Sequence, residues 1–274
     1  MSATTTSSLP LTLDTYSGAT RVLFIVGDPI AQVQSPAGMT RSLQAQGRNT
    51  VVVPAHVAPA DLAQWLAAVQ TMRNVDGVVI TVPHKISMAG HCSSLTPRAQ
   101  SIGAVNVMRR AEDGRGWHGD MVDGVGYVVG LQQLGCNPQG KRALLVGAGG
   151  AGSAIAHALV DAQVAALAVH DADAARRATL LDKLRNYGCA NAETGSDNPQ
   201  GFDLVINATP MGMKAGDALP VQADKLAAST FVGDVITAPP VSPLLQAARA
   251  KGCQTMTGLD MFAAVCERMV AFYL

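Results

Sequence analysis

Residues 143–160 restrict the fold more than any other part of this chain. Ala143-Leu144-Leu145-Val146 reads as a buried strand, Gly147-Ala148-Gly149-Gly150-Ala151-Gly152 as a glycine-rich turn, and residues 153–160 as a helix. Glycines at this spacing permit a tight turn, let backbone approach a pyrophosphate and allow the helix to pack closely on the strand. The helix N-terminus adds unpaired N–H groups and the positive end of its dipole. A G-x-G-x-x-G pattern means little alone, but here it has the strand before it and the helix after it. The next strand, residues 164–170, delivers Asp171, 19 residues past Gly152. A carboxylate there accepts hydrogen bonds from an adenine ribose and repels a 2′-phosphate. A dinucleotide site is expected, with NAD as cofactor and NADP less favoured. Arg176 and Arg177 are the countercase, since either reaches toward a phosphate, but they read as exposed residues in the first turn of a helix.

The rest of the chain repeats the alternation. Strands are expected at 21–26, 51–53 and 78–82, with helices at 37–46 and 59–72 between them. Ser35-Pro36 reads as a capping serine with proline at the first helical position. This β-α-β-α-β order predicts a parallel sheet with helices outside it. After the glycine turn come a helix at 174–187, strands at 204–207 and 231–236, and a final helix at 260–273. The expected architecture is α/β in two domains joined near residues 120–130. A flexible tail covers residues 1–20, a first domain 21–125 and a nucleotide domain 126–257, with the terminal helix, 258–274, packing back on the first domain.

Composition excludes several partners. The 274 residues carry 20 Lys+Arg and 20 Asp+Glu, a net charge of zero. Nucleic acid and acidic membranes demand clustered cations, and no apolar run is long enough for a membrane span. Residues 1–10 lack the pattern of a signal peptide. Five scattered cysteines without a C-x-x-C pair indicate neither a disulfide framework nor a metal site. A cytoplasmic monomer or homodimer is expected.

One charge stands apart. The first 140 residues hold a single lysine, Lys85, against eight arginines. It follows the apolar run Val78-Val79-Ile80-Thr81-Val82-Pro83-His84. Burial and neighbours shift a lysine readily and an arginine hardly at all, so an amine at the mouth of a strand is a place for proton transfer. His84, as a strand neighbour pointing to the other face, reads as structural. His118 reads as a surface residue.

Several segments then fall into a recognisable order. They are Gly27-Asp28-Pro29-Ile30 with Ser35-Pro36, Thr81-Val82-Pro83-His84-Lys85, Gly103-Ala104-Val105-Asn106 and Gly119-Asp120-Met121-Val122-Asp123-Gly124. With the glycine turn, Asn207-Ala208-Thr209-Pro210-Met211-Gly212 and Gly258-Leu259-Asp260-Met261, they closely resemble the shikimate/quinate dehydrogenase family from about residue 21 onward. The resemblance implies a substrate domain, a Rossmann-like nicotinamide domain and an active site between them. It implies Lys85 as proton acceptor, Asp123 as its partner, and Ser35, Thr81 and Asn106 as polar substrate contacts. Thr209, Met211, Val235 and Gly258 fall where such proteins meet the cofactor, beside Gly147, Ala148, Gly149, Gly150, Ala151 and Gly152.

The chain also departs from the family pattern. G-x-P-I-x-H-S-x-S-P has become a stretch with Gln32 and Val33 in place of the histidine and first serine. The asparagine two before the threonine of the lysine motif is Val79, and N-T-D is Met121-Val122-Asp123. The substrate tyrosine corresponds to Thr237 and the glutamine of the last helix to Val265. NADP-using members carry N-R-T where this chain has Asp171-Ala172-Asp173. Each lost polar partner costs roughly 1–3 kcal/mol, so a substrate less polar than shikimate or quinate is expected. The alternatives are an ordinary shikimate or quinate dehydrogenase and a non-catalytic NAD-binding sensor or partner subunit. Retention of both Lys85 and Asp123 argues against the latter.

Overall fold

The computed structural model describes residues 16–274. The first fifteen residues of the expected tail lie outside the described residues. Within 16–20 the expectation is corrected: Thr20 is buried and its hydroxyl bonds Asn49 Oδ1 at 3.0 Å, so the ordered body begins before Arg21.

Six strands and four helices build the first sheet and its cover. They run β1 (Arg21–Gly27), α1 (Ser35–Ala45), β2 (Thr50–His56), α2 (Leu62–Thr71), β3 (Val75–Ile80), α3 (Lys85–Ala89), β4 (Ser94–Leu95), α4 (Pro97–Ile102), β5 (Val107–Arg110) and β6 (Trp117–Asp120). The spatial order is β2-β1-β3-β5-β6-β4. β1 pairs in parallel with β2 and β3, as expected, but β5 runs antiparallel to both β3 and β6. The sheet is therefore mixed. The β5–β6 hairpin escapes the hydrophobic pattern because each strand is four residues long and carries charge: Arg109 and Arg110 in one, His118 and Asp120 in the other. Val78, Val79 and Ile80 are buried as a continuous run, as a strand covered on both faces requires.

α5 (Asp123–Gln133) leads to the second sheet: β7 (Arg142–Val146), α6 (Gly150–Asp161), β8 (Ala166–His170), α7 (Ala174–Asn186), β9 (Ala192–Thr194), β10 (Leu204–Asn207), β11 (Phe231–Asp234), α8 (Pro243–Ala250), β12 (Thr255–Met256) and α9 (Gly258–Tyr273). Its order, β12-β11-β10-β7-β8-β9, is parallel throughout. Counted from β7 this is the 3-2-1-4-5-6 arrangement of a doubly wound nucleotide-binding sheet.

α5 and α9 join the two sheets. Gly124 and Gly126 let α5 lie directly against α6 and α9, where any β-carbon would strike Ala154 on one side and Val265 on the other. One apolar core runs from Leu23, Ile25 and Met39 through Tyr127, Leu131 and Val265 into Leu145, Ile155 and Ile206. The last helix does pack back on the first sheet. Its Tyr273 hydroxyl donates to the carbonyls of Val78 and Met108, at 2.9 and 3.3 Å.

Two local readings change. Ser35 does not cap α1; Gln34 occupies the cap position, and Ser35 is already helical, because Pro36 tolerates a place in the first turn. Lys85 is not a strand residue, since β3 stops at Ile80 and Lys85 opens α3. His84 at the α3 cap is buried, with Nε2 2.8 Å from the carbonyl of Val57.

Candidate active site

The C-terminal ends of β1 and β3, the start of β5 and the N-termini of α5 and α9 converge on one cleft of about 210 Å³. At its floor the Lys85 amine is paired with Asp123 Oδ2, and Asn106 Nδ2 donates to Asp123 Oδ1 at 2.6 Å. Asn106 in turn accepts the Val122 N–H at 2.8 Å. The Lys85 side chain is 15% exposed and that of Asp123 8%, so the pair faces the cleft without being open to bulk water. Three elements far apart in sequence thus fix one amine. The Lys85 stem also lies 3.7 Å from the place a β-carbon would occupy on Gly150, so this side chain passes beside the glycine turn of the second sheet.

Ser35, Thr81, Asn106, Thr237, Val33 and Val265 all line this cleft, and Val235 and Gly258 do as well. The hydroxyls of Ser35, Thr81 and Thr237 have no side-chain hydrogen bond among the described residues. Asn106 differs from the expectation: it is 2% exposed, and its amide holds Asp123 and the α5 backbone. The remaining wall is apolar, formed by Ile25, Val79, Met261, Phe262 and Met269. Among the described residues Lys85 and Asp123 are the only charged ones in the lining, and each neutralises the other.

The glycine turn has the geometry its sequence predicts. Gly147 has φ +105°, and a β-carbon there would meet the Ala208 backbone at 2.8 Å. Around Gly149, by contrast, a β-carbon would meet nothing within 4 Å, so the backbone there borders open space. That is the cradle a pyrophosphate needs: α6 begins at Gly150, and its first N–H groups lack helical acceptors. Ala148 and Gly150 also border a second hollow lined by Ile86, Arg176 and Lys183, where Lys183 Nζ bridges to the carbonyl of Ile102 at 2.8 Å. Val82 and Ile86, close to Lys85 in sequence, are apolar yet 59% and 65% exposed.

Asp171 is placed as expected at the end of β8, but its carboxylate is turned inward. It accepts the Ala148 N–H at 2.7 Å and the Asp173 N–H at 2.8 Å, and is 8% exposed. The turn's own amide claims the oxygen because no other acceptor reaches it. Arg176 lies 3.8 Å from Asp171 and 3.2 Å from Asp173. Arg177 is half-buried, donating to the Asp171 carbonyl at 3.0 Å, so only Arg176 is exposed as predicted.

A buried network behind the second sheet's edge went unread in the sequence. Asp234 is fully buried with no cation; it accepts from Ser242 Oγ at 2.6 Å, the Ile236 N–H at 3.0 Å and Asn207 Nδ2 at 3.1 Å. Asn207 Oδ1 then accepts both the N–H and the hydroxyl of Thr209, and Thr209 accepts the Met211 N–H at 3.1 Å. Burial pushes the Asp234 carboxyl above its usual range despite these donors. The only signal was an acidic residue ending an apolar strand. No group of three or more His, Cys, Asp or Glu side chains converges among the described residues. No helix among them is long and apolar enough to cross a membrane.

Comparisons with known proteins agree with this geometry. The family described as "Shikimate dehydrogenase substrate binding domain" matches residues 25–108. A shikimate dehydrogenase (NADP(+)) of Geobacter metallireducens is 34% identical over 94% of this chain and 92% of its own. Among solved structures, the ligand-free 5-ketofructose reductase of a Gluconobacter species is similar with TM-score 0.82 and 29% identity, over 93% of each chain. The quinate dehydrogenase of Corynebacterium glutamicum in complex with NAD gives TM-score 0.83 and 30% identity, again over 93% of each. The chain belongs to the shikimate dehydrogenase family of oxidoreductases acting on CH–OH groups.

Proposed function

We propose that this protein transfers hydride between a ring hydroxyl of a shikimate- or quinate-like but less polar compound and NAD, with Lys85 as proton acceptor and Asp123 as its partner. The observation that carries the reading is the Lys85 amine paired with Asp123 on the cleft floor, its side-chain stem packed beside Gly150 of the glycine turn. When bound, the nicotinamide cofactor would supply the hydride acceptor, and Gly147–Gly152 would hold its pyrophosphate. As hydride leaves carbon a proton leaves oxygen, so a base within hydrogen-bond reach is required. Asp123 orients the amine and Asn106 orients Asp123. Ser35, Thr81 and Thr237 offer unspent hydroxyls to the substrate, while Val33, Val79, Phe262 and Val265 favour hydrocarbon over further polar groups. In this reading residues 21–125 with 258–274 hold the substrate and residues 126–257 the cofactor.

NAD preference rests on Asp171 and Asp173, two carboxylates where a 2′-phosphate would lie. The names of the curated relatives point the other way, toward NADP and toward shikimate itself, which makes an ordinary NADP-linked shikimate dehydrogenase the second reading. Steady-state assays with both cofactors against shikimate, quinate and less polar cyclic alcohols separate the two. Efficient oxidation of shikimate with NADP overturns the first. Replacing Lys85 by alanine is expected to lower kcat by about 10²–10⁴-fold while cofactor affinity, measured by fluorescence titration, stays within about threefold, a change under about 0.7 kcal/mol. A non-catalytic sensor would show no turnover to lose.

A further inference from the structure

The other end of the first sheet carries a second cavity, larger than the cleft, of about 440 Å³. β5 runs antiparallel to β3, so Asn106 at its start faces the cleft while Arg109 and Arg110 at its end lie beside the beginnings of β1 and β3. The wall combines four guanidinium groups, Arg21, Arg48, Arg109 and Arg110, with one carboxylate, Asp76. That carboxylate is taken by Arg21, with both oxygens engaged. Arg110 is committed to three backbone carbonyls, those of Val75, Gln70 and Met72.

Two guanidiniums are left without a side-chain acceptor among the described residues. Arg48 has one long contact there, to a main-chain oxygen of Leu274 at 3.4 Å. Arg109 has no hydrogen-bond acceptor among the described residues and lies with its guanidinium carbon 5.5 Å from the centre of the Phe272 ring. Asn49 adds a further donor: its oxygen accepts from Thr20, and its amide N–H groups have no acceptor among the described residues. Among the described residues the cavity therefore presents donors and almost no open side-chain acceptor, a local excess of positive charge in a chain whose charges sum to zero overall. A planar guanidinium fork matches the paired oxygens of phosphate or carboxylate better than it matches water.

We propose that this cavity binds a small oxyanion carrying two or more negative charges, held by Arg48 and Arg109 with Asn49, at the sheet end remote from the chemistry. α9 reaches both places, since Tyr273 borders the oxyanion cavity and Met261 and Val265 border the cleft.

Thermal unfolding of the full chain in pyrophosphate, in citrate and in sodium chloride of equal ionic strength tests this. Pyrophosphate or citrate is expected to raise the midpoint saturably by about 2–5 °C over chloride. The anion effective at the lower concentration identifies phosphoryl or carboxylate chemistry. Arg48→Ala and Arg109→Gln, singly and together, are expected to remove most of the rise while kcat/KM stays unchanged. Arg48 is exposed, so its variant folds even where Arg109→Gln does not. No rise over chloride overturns the proposal. So does a rise that survives in Arg48→Ala, which would assign the anion to the glycine turn instead.

Discussion

Asp123 and Asp234 are both buried carboxylates at the edge of the cleft, and they are stabilised in opposite ways. Asp123 meets a cation, Lys85, and faces the substrate space. Asp234 sits behind the wall with no cation at all, surrounded by a hydroxyl, an amide and a backbone N–H. The first arrangement sets an amine and a carboxylate on the cleft floor, where the proposed proton transfer needs them. The second ties two loops, residues 207–213 and 234–242, to one anchor outside the cleft lining. A buried charge without a counter-ion is costly, and the upward shift of Asp234 is the form that cost takes.

Asparagine at each site sharpens the contrast. Asp123→Asn is expected to lower kcat by about 10²–10³-fold, and to lower the unfolding midpoint as well because the Lys85 amine loses its counter-ion. The same change at Asp234 should leave kcat within a few-fold. If Asp234→Asn proves the more damaging to turnover, the division into chemical and anchoring carboxylates fails.

The apolar wall supplies the next test, because it is what separates this cleft from a carboxylate-gripping one. Val33→Ser is expected to raise kcat/KM for shikimate by about tenfold, the equivalent of one regained polar partner at roughly 1–3 kcal/mol. Unchanged shikimate kinetics would mean that Val33 does not face the substrate.

The stability of Asp234→Asn should depend on pH in a defined direction. The unfolded chain ionises this carboxyl near pH ~3.9, whereas burial raises it in the folded state. Below the unfolded value both states are protonated and no penalty applies. As pH rises through the unfolded and then the folded value, wild type loses stability relative to a chain with a neutral amide there. The difference in unfolding midpoint between variant and wild type, followed from pH 4 to 8, should therefore move in favour of the variant. A flat difference would show that the carboxyl ionises alike in both states.

The pair and the anchor were not equally legible in the sequence. The glycine turn could be read directly, because a strand, a positive-φ glycine and a helix follow one another within twenty residues and obey local rules. Lys85 stood out by its rarity, but its pairing with Asp123 spans 38 residues and came only through family resemblance. Asp234 gave almost no signal, since its partners Asn207 and Ser242 are brought to it by the crossing of separate strands. The β5–β6 hairpin was missed for a related reason: short strands rich in charge look like loops until the sheet beside them is known. Ser35 was misread by one position, a proline in the first turn being compatible with either register.

The smallest expected effect concerns the cofactor. Asp173 caps α7, accepting the Ala175 and Arg176 N–H groups at 3.0 and 3.1 Å, and its other oxygen holds the Arg176 guanidinium. Serine keeps a capping oxygen at that position but removes the charge and releases Arg176. Asp173 is exposed, so solvent and salt screen its field. The ratio of kcat/KM for NADP to that for NAD is therefore expected to rise only about three- to tenfold in Asp173→Ser. The rise should shrink at high ionic strength if it is electrostatic. An unchanged ratio would leave discrimination to Asp171 alone, whose carboxylate is already committed to the Ala148 amide and is far better shielded from water.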